Sequence, residues 1–541
     1  MNPLAELHDA VLGAAATLAG ADGGGGAVVD AMLERPPKPS FGDYSTNAAL
    51  LLAPRLGRPP REVAAALGEE LSRRLADGLD HVEVAGPGFL NLFLADAWFE
   101  RALGVALAAG EDFGGAGTAS PERIDVEFVS ANPTGPLTVA HGRHAAYGDA
   151  LSRILEFHGH AVTREFYIND FGSQIRNLGE SVRAWALGEP IPERGYHGAY
   201  VATLVPRERA ATLDFDALCA EAVAACLAMI RATLERFGVG FDVWTSERTL
   251  HDEGLIARAL RTLDEQGDSY TSDGALWLRT TDHGDDKDRV LERTGGEHTY
   301  FTSDIAYHQE KLTRGYERLV DVWGADHHGY VRRMRAAIAA LGGSPEVLDI
   351  VIMQFVHLTE SGEQKAMSKR SGDFVTLDAL LDEIGVDAAR YFLVQRSHDT
   401  TVDIDLGLAV KQTNENPVYY VQYAHARICG VLAKAGAERV AAALAAPGTA
   451  GALHPSERAL LKRLLAFGTE VAEAAERRAP HRIASYALEL AQDFTAFYRD
   501  CRVVGAEPSE TESFRIALAV AARRTIARSL ALLGVGAPTE M

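Results

Sequence analysis

The chain has 541 residues, 47% hydrophobic and 24% charged, which exceeds one ordinary hydrophobic core and fits a soluble protein of about three or four folded units. Its formal charge of −22 argues against broad, nonspecific polyanion binding, because the long-range field repels phosphate backbones, while leaving room for a local basic patch. Glu6 and Asp9 replace the basic start of a signal peptide, and no uninterrupted apolar run approaches the ~18 residues of a membrane span, so a cytoplasmic protein without a membrane partner is expected.

In chain order, Pro3 to Leu18 has a helical pattern that ends before the run Gly23 to Gly26, and Pro36, Pro37 and Pro39 punctuate a loop leading to Phe41-Gly42-Asp43-Tyr44-Ser45. Helical segments broken at Pro59-Pro60 and an extended stretch from His81 to Leu94 complete a small α+β domain over residues 1–115. Ala97 to Ala109 reads as one more helix, and the glycine-rich stretch from Gly110 to Ser120 reads as a linker.

A second unit, residues 120–410, begins with Ile124, Val126 and Phe128 alternating with Asp125 and Glu127, the signal of a strand. A helix follows, which Thr138 can cap, carrying Ala145, Leu151, Ile154 and Leu155. A second strand is signalled by Val162, Arg164, Phe166 and Ile168. Strand, helix and strand make a βαβ unit whose ligand crevice lies at the carboxyl ends of the strands. Residues 174–297 are too many for a crossover and are expected as an inserted domain. Further strands are predicted at Arg318 to Trp323 and Leu348 to Val356. Beyond Lys411 long helical patterns, near 416–437, 456–477, 481–501 and 509–533, predict a bundle over residues 411–541, with Pro417, Pro455, Pro480 and Pro508 near the helix starts.

Cys219, Cys226, Cys429 and Cys501 lack the short spacing of a zinc or redox site and are expected as buried thiols in a reducing compartment. The acidic run Asp282, Asp285, Asp286 and Asp288 is expected as a solvated loop, and no dedicated metal cage is visible.

Two segments carry chemistry. The loop Asn132 to Leu137 delivers the chain onto a helix N-terminus with His141 in its first turn, and free backbone N–H groups beside an imidazole suit a phosphate. A single histidine there is equally a packing residue. The segment Gly362-Glu363-Gln364-Lys365-Ala366-Met367-Ser368-Lys369-Arg370-Ser371-Gly372 sets cations and hydroxyls between glycines after an expected strand. Such a loop can close over a triphosphate and neutralise departing pyrophosphate, although alone it is also an ordinary basic surface loop.

Together they resemble a known pair. Thr138-Val139-Ala140-His141 is similar to the HIGH signature of class I aminoacyl-tRNA synthetases, and Met367-Ser368-Lys369-Arg370 to most of KMSKS. The segments running from Val126 through Ser130-Ala131-Asn132-Pro133-Thr134-Gly135-Pro136, then Tyr167-Ile168-Asn169-Asp170-Phe171-Gly172, Tyr300-Phe301-Thr302-Ser303-Asp304 and Trp323-Gly324-Ala325-Asp326-His327-His328 resemble bacterial-type arginyl-tRNA synthetases. So do Phe41 to Asn47, Gly86-Pro87-Gly88-Phe89 and Asp273-Gly274-Ala275-Leu276-Trp277.

The resemblance implies an α/β, multidomain enzyme: a Rossmann-like parallel-sheet catalytic core with insertions, an N-terminal domain that contacts the tRNA elbow, and an all-α anticodon-binding bundle. It implies ATP-dependent ligation of L-arginine to tRNA(Arg) through an arginyl-adenylate, with Mg²⁺ travelling with ATP and no DNA partner. Two alternatives stay open: a non-catalytic tRNA-binding paralogue, and an arginine-adenylating enzyme acting outside translation.

In that frame His141 and Lys369, aided by Thr138 and Lys365, are the catalytic residues. Pro133, Gly135, His141, His144, Gly324, Asp326, Met367, Ser368 and Lys369 fall at the ATP, and Glu127, Asn132, Tyr300, Asp304 and His328 at the arginine. A planar guanidinium with five donors calls for fixed carboxylates and amides, which suits Glu127, Asn132 and Asp304. Tyr44, Asn47, Tyr423, Arg427, Arg482 and Arg528 are expected at the tRNA. Arg477, Arg478, Arg523 and Arg524 are expected to extend a basic face, accompanied by Phe497, and a chain ending at residue 410 is predicted to lose tRNA affinity and keep its ATP site. The chain departs from the signatures at Thr138, Ala140, His144 and Ala366, with Lys365 displaced by one position.

Overall fold

A computed structural model describes residues 3–20, 31–360, 363–364 and 375–541. Near the N-terminus the helices Pro3–Ala19, Ala48–Leu56 and Pro60–Leu75 pack on a four-stranded antiparallel sheet in the order Leu33–Glu34, Tyr44–Thr46, Phe89–Leu94, Leu79–Ala85. The expected extended stretch is thus a hairpin, reversing through Gly86 and Gly88, both at positive φ. After the helix Asp96–Ala109 the glycine-rich stretch is a fixed strap rather than a free linker. Ala116 and Thr118 donate their N–H groups to the carbonyls of Phe157 and His158 at 2.8 and 3.1 Å.

The catalytic region is built on five parallel strands in the order Leu348–Met353, Arg318–Gly324, Arg123–Glu127, Ala161–Ile168, Val243–Ser246. Chain order reverses between Arg123–Glu127 and Arg318–Gly324, so the ligand crevice of such a sheet opens at the carboxyl ends of these two neighbours. Ile124, Val126 and Phe128 face the helix Val139–His158. A Cβ on Gly148 of that helix would lie 2.1 Å from the Phe128 ring, so only glycine permits this approach. Asp125 and Glu127, which alternate with them, are also buried, because Lys311 of the helix Tyr300–Thr313 meets them on the other side of the sheet.

The stretch 174–297, expected as one insertion, contains the edge strand Val243–Ser246. Its pairing with Ala161–Ile168 makes it part of the sheet and divides the inserted residues in two. The first part gathers the helices Ser173–Leu187 and Phe215–Arg236 around a core including Ile175, Leu178, Leu218, Ala222 and Cys226. By length and composition Phe215–Arg236 is apolar enough to cross a bilayer, although Asp216, Glu221 and Arg231 interrupt its apolar run, and here its Leu218, Ala222, Cys226 and Ile230 are buried against protein. The second part carries the antiparallel sheet Arg289–Glu292, Ala275–Leu278, Ser269–Ser272. The acidic run lies here and is more ordered than expected: Asp285 pairs with Arg289 at 2.7 Å, and Asp288 accepts from Thr281 and Tyr270.

Beyond the main sheet, Val356–Glu360 pairs in parallel with Val402–Asp405. The C-terminal helices are Pro417–Ala435, Ala437–Ala445, Pro455–Leu465, Phe467–Glu476, His481–Asp500 and Ser509–Leu532; the helix expected over 456–477 is broken at Ala466, and Ala437–Ala445 is one the sequence pattern did not show. One hydrophobic core runs from Leu7 through Phe128 and Leu151 to Leu533, so the three regions share an interior.

Candidate active site

At the end of the strand Arg123–Glu127 the chain turns through Val129 (φ 69°) and Ser130 (φ 41°), left-handed conformations that are strained for residues with side chains. The turn sets Ser130 Oγ to donate to Glu127 Oε1 at 2.8 Å and to accept from Tyr167 N–H at 3.2 Å. Strained backbone thereby fixes the Glu127 carboxylate at the crevice. In the loop that follows, Asn132 is exposed, Pro133 buried and Gly135 half-buried. Tyr200, from the first insertion, donates its hydroxyl to the Thr134 carbonyl at 2.6 Å, and a Cβ on Gly135 would meet that ring and hydroxyl at 3.0 Å.

Thr138 is the N-cap of Val139–His158. Its N–H donates to His141 Nδ1 at 3.0 Å, and its hydroxyl lies 3.0 Å from the same nitrogen. A backbone N–H can only donate, so Nδ1 carries the lone pair and the ring proton sits on Nε2, a donor in the first turn. The Thr138 hydroxyl is engaged in orienting that ring. One turn on, His144 is held neutral, its pKa pushed down to about 3 by burial and by the neighbouring His141, Arg143 and His327.

Arg143 ties this helix to the chain segments that flank the strands Val356–Glu360 and Val402–Asp405. Its buried guanidinium donates to the carbonyls of Gln354, Ser397 and Thr400 at 2.7, 2.9 and 2.8 Å. Lys365, Met367, Ser368 and Lys369 lie outside the described residues. Their segment returns against the first signature, with Leu377 N–H donating to the Leu137 carbonyl at 2.8 Å and Thr376 bridged to Thr138.

Across the crevice the helix Tyr300–Thr313 carries Tyr300, Asp304, His308 and Lys311 at helical spacing. Tyr300 is 69% exposed. Asp304 accepts from the Tyr330 hydroxyl at 2.5 Å, and burial raises its pKa. His308 touches the Asp304 carbonyl through Nδ1 at 2.7 Å and Asp321 through Nε2 at 2.9 Å. Lys311 donates to Glu127 at 2.6 Å and to Asp321 at 3.0 Å. Burial also raises Glu127, against the pull of Lys311, whereas Lys311 and His308 overcome burial to hold Asp321 low.

Sequence reasoning missed Glu247, which directly follows the edge strand. It is buried, its Oε2 has no hydrogen-bond partner among the described residues, and its pKa is pushed up to about 7 by burial and by Asp304 and Asp170. The available signal was a carboxylate just after Val243-Trp244-Thr245-Ser246, hidden because this strand was assigned to an insertion. Burial, and after it Glu247, Asp304, Glu127 and Asp170, raise the pKa of the Tyr167 hydroxyl, so these four carboxylates lie within electrostatic reach of one phenol. Such a pocket suits a cation with several donors.

Other expected residues are scattered. Gly324 ends its strand, where a Cβ would meet Asp326 Oδ1 at 2.7 Å, and Asp326 and His328 are exposed on the turn that follows. Tyr44 is buried edge-on to Trp98 in the N-terminal domain rather than displayed. Asn47 lines a cavity of about 320 Å³ with Phe41, Phe89, Asn91 and Arg35, and its side-chain oxygen accepts from Met32 N–H at 2.8 Å.

In the C-terminal helices the expected single basic face does not form. Arg427 lies over the rings of Tyr423 and Tyr498, with Tyr419 stacked on Tyr423. Arg482 pairs with Glu470 and Glu473. Arg478 holds Asp349, Arg524 the Leu107 carbonyl, and Arg528 the Glu111 carbonyl, all inward contacts between regions. Phe497 is fully buried in the core.

Comparison with known proteins adds an independent line. The class I (R) tRNA synthetase catalytic domain family matches residues 104–183 and 214–428, the arginyl tRNA synthetase N terminal domain matches residues 5–94, and the DALR anticodon binding domain matches residues 421–541. The chain is 46% identical to an arginine–tRNA ligase of Frankia alni over 100% of both chains. It is 45% identical to one of Geobacillus thermodenitrificans over 95% of this chain and 94% of the other. Among solved structures it is similar to the arginyl-tRNA synthetase of Thermus thermophilus, with a TM-score of 0.79 and 25% identity over 99% of each chain.

Proposed function

The chain belongs to the arginyl-tRNA synthetase family, and we propose how its own residues ligate arginine to tRNA(Arg) at the expense of ATP. The observation that carries the reading is the group of carboxylates, Glu127, Asp304 and Glu247, within electrostatic reach of Tyr167. Asp304, backed by the Tyr330 hydroxyl, and Glu247 take the guanidinium, whose fixed fork of donors matches two carboxylates in a way a lysine ammonium does not. Glu127 and Asn132 take the α-ammonium, so the substrate carboxylate faces the signature loop. The triphosphate lies over the first turn, where the backbone N–H groups and His141 Nε2–H meet its oxygens. Pro133, Gly135, Gly324 and Asp326 line the nucleotide side, and Lys369 with Lys365 neutralises the leaving pyrophosphate from the loop that returns at Thr376.

The arginine carboxylate attacks the α-phosphorus and pyrophosphate leaves; the terminal ribose 2′-hydroxyl of tRNA then attacks the acyl carbon of the mixed anhydride, breaking its bond to phosphate and releasing AMP. Positioning and charge stabilisation carry both steps, and no side-chain nucleophile takes part. Among the described residues no group of three or more His, Cys, Asp or Glu side chains converges on a metal position, and Mg²⁺ enters as the counter-ion of the triphosphate. The Asn47 cavity in the N-terminal domain and the Tyr423–Arg427–Tyr498 cluster are the surfaces offered to tRNA, since stacked rings and a guanidinium bind unpaired bases.

Adenylate formation with tRNA present tests the reading. Arginine, but not lysine, is expected as substrate, and Asp304→Ala is expected to weaken use of arginine by about 2 to 5 kcal/mol while leaving the ATP requirement nearly constant. Equal changes in both requirements remove Asp304 from the arginine site. Tight tRNA binding with no arginyl-adenylate from the wild-type chain transfers the protein to the non-catalytic class.

A further inference from the structure

We propose that Lys311 is a positioning residue for substrate recognition: without touching arginine, it holds the Glu127 carboxylate in the orientation that receives the substrate's α-ammonium. The proposal rests on the assignment of Glu127 to that ammonium. Lys311 is completely buried, so no substrate atom reaches it. Its Nζ lies 2.6 Å from Glu127 Oε2, 3.0 Å from Asp321 Oδ1 and 3.3 Å from Asp125 Oδ2. The ammonium donates hydrogen bonds to Glu127 and Asp321, with Asp125 beside it at ion-pair distance.

The carboxylates come from the two strands that flank the switch point, and Glu127 and Asp321 are direct cross-strand partners. Lys311 therefore crosses the sheet at the bottom of the crevice, fixing one Glu127 oxygen while the strained Ser130 turn fixes the other. Asp321 is held in turn by His308, whose other nitrogen contacts the Asp304 carbonyl. One helix thus carries a guanidinium partner, Asp304, and the anchor of the ammonium partner, Lys311. The distance between the two ends of the arginine site is set by about two turns of helix.

A counter-ion serving stability alone predicts a uniform loss, whereas a positioning role predicts a loss confined to ligands with an α-ammonium. Binding of arginine and of 5-guanidinopentanoate, which keeps the guanidinium and carboxylate and lacks the amino group, separates the two in the full-length protein. Lys311→Met is expected to weaken arginine roughly 10- to 100-fold, the scale of a charge-assisted hydrogen bond, and 5-guanidinopentanoate by less than about threefold. Should Lys311→Met fold poorly, the charge-balanced pair Lys311→Met with Asp321→Asn carries the same expectation. Parallel loss of both ligands, or loss of neither, overturns the proposal. Glu127→Gln is the separate control: if it leaves the preference for arginine over 5-guanidinopentanoate unchanged, the ammonium assignment itself fails. If it abolishes that preference and the Lys311 variants do not, only the role of Lys311 falls.

Discussion

Glu247 and Asp304 are acids held above the ordinary carboxylate range, Glu247 at about 7 by burial and by Asp304 and Asp170, Asp304 by burial. A raised folded-state pKa means that the unliganded protein binds an extra proton between the unfolded value and the folded one. Its contribution to stability is then fully present below the ordinary glutamate pKa of about 4.3 and is lost as pH rises towards 7. A guanidinium in the pocket reverses this, because it favours the ionised forms. The dissociation constant of arginine is expected to rise about tenfold per unit as pH falls below 7. The thermal upshift given by arginine is expected to be larger at pH 7.5 than at pH 5.5. Glu247→Gln should bind arginine weakly throughout and flatten the profile; a steep profile that survives in this variant assigns the titration elsewhere. Calorimetry over that range, with ATP binding as the internal control, supplies both measurements.

Helix starts and the loops that feed them do the work at the next scale. Val139–His158 presents its first turn to the crevice because Thr138 and His141 cap each other, Arg143 anchors three distant carbonyls, and Gly148 lets the helix settle on Phe128. The loop before it is pinned from outside by Tyr200, whose hydroxyl holds the Thr134 carbonyl between Asn132 and Gly135. Removing that hydroxyl with Tyr200→Phe deletes one hydrogen bond of about 0.5 to 1.5 kcal/mol and keeps the ring in place. Adenylate formation is expected to slow by about 2- to 10-fold with little change in melting temperature. An unchanged rate would make Tyr200 a contact of the fold alone.

Over the whole molecule the outer regions are docked on each other as well as on the sheet. Asp43, from the Phe41-Gly42-Asp43-Tyr44 segment, is buried and accepts from Leu94 N–H at 2.9 Å, from Arg458 at 2.9 Å and from Lys462 at 3.2 Å. Arg458 also grips Asp96, and Arg524 and Arg528 reach the carbonyls of Leu107 and Glu111. Both surfaces offered to tRNA are therefore held at a fixed separation. Asp43→Ala strands two cations and is expected to cost about 3 to 5 kcal/mol of stability. It should also weaken tRNA binding while arginine and ATP binding persist in the folded fraction. Denaturant melts and tRNA titrations check this, and undiminished tRNA affinity would show that the docking is dispensable. The same packing revises the expectation for a chain ending at residue 410. Tyr147, Arg390 and Tyr391 donate to the carbonyls of Arg478, Leu533 and Ala484, so such a chain is expected to expose its core and lose the ATP site as well.

The sequence by itself determined the local devices: the cap at Thr138, the paired strands around the first signature, and the prolines that start the C-terminal helices. Each depends on neighbours within a few residues, where spacing and propensity act directly. It also carried the family, since the signatures are contiguous stretches. Only the tertiary structure decided which polar residues converge. The alternation of Asp125 and Glu127 with apolar residues marks a strand but not that the helix carrying Lys311 covers both carboxylates. Glu247 was hidden inside an apparent insertion until its strand joined the sheet, and Arg478, Arg524 and Arg528 read as RNA contacts until they turned inward to hold the regions together. The reason is physical: the pairing of a buried charge is settled by groups that may be nearly two hundred residues away, as with Lys311 and Glu127, separated by 184 positions, and no local pattern records that distance.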